Sequence, residues 1–183
     1  MLKRLGYEKG QTYHANFKRN CGLWLLLIGT TIAVATLAGG VFLVNPFVFI
    51  AGYGIGFYIA NINKTVHTKL ATGGGTLFQN RVENIAVVLL FVLMFCIAGP
   101  FFIGMNWRMI WLGAFLATGL HFFVFYFVHG TSMLFIGVFT SITALVGMAT
   151  ATPFIYLGLI DGFIKIGFGM YLLFLSKPSV IRV

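Results

Sequence analysis

Residues 46–62, PFVFIAGYGIGFYIANI, decide the fold. The segment opens on a Pro-Phe pair and then stays apolar for close to the ~20 residues that a helix needs to cross a bilayer. Proline suits the first turn of a helix, because the N–H it lacks has no intrahelical partner there. The same pair recurs at Pro100-Phe101 and Pro153-Phe154, at nearly equal intervals, and PFVFI at 46–50 resembles PFIYL at 153–157. Each pair stands between two long apolar runs. The simplest reading is three tandem helical hairpins, six spans in 183 residues, with every Pro-Phe turn on one side.

Composition agrees. Sixty per cent of residues are hydrophobic and 8% charged, against about 25% charged in a soluble domain. A β-barrel would show short segments of alternating polarity, which this chain lacks. The expected class is all-α, a polytopic membrane protein with no room for a separate catalytic domain. The spans are expected at 22–44, 46–62, 84–104, 107–128, 131–150 and 153–175. They give hairpins 21–62, 84–128 and 131–176 within a membrane domain at 21–176. A basic segment at 1–20, a loop at 63–83 and a tail at 177–183 complete the chain. Pro100 fits less well: if it opens a helix, the third span holds only Asn84 to Gly99, and otherwise it kinks the end of that span. The first apolar run is too long for the h-region of a cleavable signal and lacks a small-residue cleavage site. Cys21 and Cys96 fall near opposite membrane faces, too far apart for a disulfide.

Charge sets the expected orientation. Lys3, Arg4, Lys9, Lys18, Arg19, Lys64, Lys69, Arg81, Lys177 and Arg182 fall on one side of the six-span scheme, and Arg108 alone on the other. Basic residues mark the cytoplasmic side, so both termini and the 63–83 loop are expected there, in a bacterial cell membrane. The net charge of +9 then reflects topology and attraction to anionic lipid headgroups, not nucleic-acid binding. The partners expected are the bilayer itself and either a second copy or another membrane protein.

Asp161 and Lys165 are the charges expected inside a span. Four residues apart, they share a helix face and can pair. Ionisable groups at that depth face a bundle interior, a cavity or each other. Gly158, Gly162 and Gly169 flank them, and small residues let a neighbouring helix approach. His121, mid-span in the fourth helix, falls at similar depth. It is either a proton relay beside the pair or a histidine bonded to a backbone carbonyl or Thr118. Arg108 either snorkels to headgroups beside Trp107 and Trp111 or forms a gate with Asp161. Ser141, Thr143, Thr150 and Thr152 either line a polar path or bond back to their own helix. His129-Gly130-Thr131-Ser132 reads as a tight turn, and Gly73-Gly74-Gly75 as a flexible linker. No metal-ligand spacing, Walker loop or cofactor motif is present, so neither a metal nor a cofactor is expected. A non-enzymatic protein is expected: a small transporter or channel using the Asp/Lys/His centre, or alternatively a structural, stress-response or accessory protein. An intramembrane lipid enzyme ranks last, because it would need a second acid, a metal cluster or a nucleophile.

Several stretches carry a resemblance: GLWLLLIGTTIAVATL, NPFVFIAGYGIGF, LLFVLMF with GPFF, WLGAFLATGLHFFVFYFVHGTSM and PFIYLGLIDGFIKIGFGMYLL. Together they resemble an uncharacterised family of six-span bacterial membrane proteins, mostly from Gram-positive bacteria. That family implies an architecture and no activity. More weakly, the hairpins are similar to the repeats of HdeD-like acid-resistance membrane proteins. The long 63–83 loop and the charged pair of the last helix depart from that pattern.

Overall fold

A computed structural model describes residues 2–8, 10, 12–177 and 179–181. Lys9 and Arg182, counted above for orientation, lie outside the described residues. Seven α-helices follow a two-residue strand, β1 (Tyr13–His14): α1 (Lys18–Leu37), α2 (Pro46–Phe57), α3 (Lys64–Leu70), α4 (Leu77–Ile97), α5 (Trp107–His129), α6 (Ser132–Ala149) and α7 (Phe154–Met170). α2 and α7 each run on into a π-helical turn, at Tyr58–Ile62 and Tyr171–Leu175. Five helices, α7 being counted with its extension to Leu175, are long and apolar enough to cross a membrane. The α2–α3 pair, bent by 62°, makes a sixth if it counts as one span.

Local chemistry sets the helix starts. Asn45 Oδ1 accepts the N–H groups of Phe47 and Val48 ahead of Pro46, and Asn63 Oδ1 does the same for Thr65 and Val66. Thr76 and Gln79 form a capping box, in which each side chain satisfies a backbone N–H that the helix leaves unpaired.

That box revises the expected third span. It starts the helix at Leu77, upstream of Arg81 and Glu83, so α4 reaches the length of a full span before Pro100. The 63–83 segment is therefore α3, a short connection at 71–76, and the first turns of α4. The first span also ends earlier than expected, at Leu37 instead of 44. The chain there turns through Gly39 and Gly40, the latter at φ 53°, where only glycine is unstrained. It then folds back so that the N–H of Asn45 donates to Ala35 O at 2.8 Å and Val44 is fully buried.

The Pro-Phe turns gather at one end. Trp111 Nε1 donates to Phe42 O across 2.9 Å, and Arg108 reaches Thr152 O at 2.8 Å. They do not share one local geometry. Pro46 is the first residue of α2, Pro153 stands just before α7, and Pro100 lies in a 3₁₀ turn beyond α4.

At the other end β1 pairs antiparallel with β2 (Val180–Ile181), which puts both terminal segments together. Tyr13, Phe78, Val82, Val128 and Ile181 form an apolar cluster there. Laterally the helices follow the order α2, α1, α7, α6, α5, α4 by their main packing contacts. Among the five span-length helices α4 is the least covered: its buried residues, Phe78, Gln79, Val82 and Ala86, all fall in its first half. The larger core joins Ile28 and Ile32 of α1, Leu112 and Phe115 of α5, Ala144 of α6 and Leu157 of α7.

Candidate functional site

α7 carries a glycine face, and that face decides what its charges meet. α1 and α7 run antiparallel at backbone contact. A Cβ built on Gly29 would lie 2.7 Å from Gly162 O, and one on Gly169 would lie 2.6 Å from the backbone N of Leu26. Gly22 and Gly169 meet at one end of this seam, Gly29 and Gly162 midway, and Thr36 and Gly158 at the other.

Asp161 and Lys165 sit at this seam, 0% and 1% exposed. Lys165 Nζ donates to both carboxylate oxygens at 2.5 Å. The i, i+4 spacing lets the pair close on one helix without help from a neighbour. The ammonium lies 5.7 Å from the centre of the Phe115 ring, a favourable cation–π placement. From α6, the fully buried Thr140 acts on the carboxylate, but its hydroxyl closes no hydrogen bond of ordinary geometry.

His121 is buried within electrostatic range of Lys165 and touches neither charge. Its Nδ1 donates to Thr118 O of its own helix at 2.5 Å, and its ring packs against Phe122 and Phe125. The carbonyl partner fixes that tautomer. The structure thus brings three of the four expected residues into one interior but directly joins only two.

Arg108 is elsewhere. Its guanidinium donates to Thr152 O at 2.8 Å, Gly147 O at 2.7 Å and Thr150 O at 2.9 Å. It takes up carbonyls at the C-terminal end of α6, which a helix leaves without partners and where a cation is favoured. The gate with Asp161 therefore does not form. Its equal depth depended on a repeat register, whereas Asp161 lies about 12 Å of helical rise inside α7. Arg108→Gln is expected to cost about 1–3 kcal/mol, read as a lower melting temperature of the purified protein.

Two further hydroxyls belong to this interior. Thr36 Oγ1 and Ser141 Oγ, like Thr140 Oγ1, are buried and have no hydrogen-bond partner, whereas Thr143 bonds back to Phe139 O and Thr150 to Val146 O. Glu83, assigned to a loop by its neighbours in sequence, is half-buried in α4. The capping box at Thr76–Gln79 was the signal that placed it on a helix.

No curated protein and no solved structure matches this chain. A family model does match, over residues 8–182. The chain belongs to the family of unknown function DUF6609.

Proposed function

We propose that this is a multi-pass protein of the cell membrane, with both termini in the cytoplasm, acting as a non-enzymatic structural or accessory component. One observation carries the reading: the only charges deep in the helical interior among the described residues neutralise each other in a sealed interface. A charged group that handles a solute must meet that solute, and the notch at residues 15–19 and the shallow face at residues 84–92 both lie away from the pair. Burying an ion pair contributes little net stability; here it leaves α7 without a net charge facing α1, where the glycine seam sets the close approach. The orientation rests on the basic residues of the terminal end.

A second reading, a proton-coupled transporter, is favoured by Thr140 beside Asp161 and by His121 near Lys165. Proton flux into proteoliposomes carrying an entrapped pH dye separates the two. The expected result is no flux above empty vesicles, for wild type and for Asp161→Asn alike. A wild-type flux that Asp161→Asn abolishes would establish the transport reading in place of the structural one.

A further inference from the structure

We infer that the end of the molecule carrying both termini binds anionic phospholipid headgroups, with Arg19 at the exposed start of α1 among the groups that meet the phosphate. The inference rests on the reading above that this end lies at a membrane surface.

Arg4, Arg19, Lys64, Lys69, Arg81 and Lys177 converge on this end together with Lys18. The contacts that bring them together are direct. Arg81 Nη1 donates to Arg4 O at 2.7 Å, Lys18 Nζ to Ser179 Oγ at 2.6 Å and Lys177 O at 3.3 Å, and Arg19 Nε to Leu173 O at 3.2 Å. Asn20 Nδ2 ties α3 to α1 through His67 O at 3.3 Å. α3 turns its half-buried Val66 and Leu70 inward and leaves Lys64 and Lys69 exposed. The carboxylates nearby are Glu8 and Glu83, yet the one ion pair among the described residues is Lys165–Asp161 in the interior. Among the described residues, no carboxylate is paired with this cluster. A negative membrane surface attracts such residues by roughly fivefold in affinity per cation.

Ala15, Asn16, Lys18, Arg19, Thr72 and Ser176 ring a water-sized notch at the start of α1, so a phosphate would rest over these residues at the surface. Among the described residues only Nε of the Arg19 guanidinium has a protein partner, which leaves its terminal nitrogens for the two-pronged contact that a phosphate accepts. Phe17 gives α1 no side-chain cap, so the first N–H groups and the positive end of the helix dipole add to the same field. Thr72 and Ser176 spend their hydroxyl protons on Asn16 O and Leu172 O. Their oxygens remain as acceptors, which suits a headgroup with hydroxyls beyond its phosphate, such as phosphatidylglycerol.

The test is thermal unfolding of the full chain in neutral detergent, titrated separately with phosphatidylglycerol, phosphatidylcholine and inorganic phosphate. Phosphatidylglycerol is expected to raise the unfolding midpoint saturably and phosphatidylcholine to leave it unchanged. Arg19→Gln and Lys69→Gln should each weaken the apparent affinity about fivefold, with the lipid-free midpoint preserved and Arg19→Lys recovering most of the loss. Equal effects of the two lipids, or wild-type affinity in the Arg19→Gln/Lys69→Gln double variant, would overturn the inference. A full shift from inorganic phosphate alone would overturn the lipid assignment in favour of a soluble phosphate compound. Detergent has no sides, so this outcome is independent of orientation, which thiol labelling of intact cells reads separately.

Discussion

Asp161→Leu is expected to destabilise the protein by about 3–5 kcal/mol, the cost of removing one member of a buried pair and stranding the other. The ammonium of Lys165 would keep a phenylalanine ring at 5.7 Å but lose both of its hydrogen bonds. The double variant Asp161→Leu/Lys165→Met should recover most of that loss, because an apolar pair of similar volume commonly equals or exceeds a buried ion pair in stability. Unfolding midpoints in mixed micelles give both numbers. A double variant as unstable as the single would show that the carboxylate has work beyond its lysine, and Thr140 would be the first neighbour to examine.

The second large effect lies along the glycine seam. Gly29→Ala and Gly162→Ala each place a methyl group where backbone already stands, 2.7 Å from Gly162 O and 3.0 Å from Gly29 O. Neither helix backbone can yield locally, so α1 and α7 must separate. Overpacking of this kind costs about 1–3 kcal/mol. Separation would also break the seal around Asp161, and the cost should not add simply to that of Asp161→Leu. Gly54→Ala is the control. Nothing lies within 4 Å of its built Cβ, and alanine is the better helix former, so the melting temperature should hold or rise slightly.

Much of this architecture is legible from residue type. Long apolar runs place the spans because lipid leaves a backbone few alternatives to helix. The Asp161–Lys165 pairing follows from spacing alone, since four residues bring two side chains to one face without reference to any neighbour. Helix ends were less legible where polarity and capping disagreed. Arg81 and Glu83 look like loop, but Thr76 and Gln79 start the helix before them. Gly39-Gly40 ended α1 inside a run that hydropathy alone extends to Val44. The partners of Arg108 could not be read at all. They are backbone carbonyls of residues 147, 150 and 152, and carbonyls carry no signature of residue type. The place of His121 was half legible: its depth follows from counting, while its bond to Thr118 O depends on a rotamer.

The contact between α1 and α7 joins two helices that have every other described α-helix between them in the order of synthesis. In the membrane, spans insert first and associate afterwards. The face of α1 bearing Gly22 and Gly29 therefore waits, without its partner, through the synthesis of every intervening helix. A chain halted before residue 154 would insert its earlier spans and yet lack the closest pairing of the bundle. Completion of α7 is thus the step that gives α1 its closest partner. That helix enters lipid with its two charges already neutralised on its own surface, so its insertion need not wait for assembly.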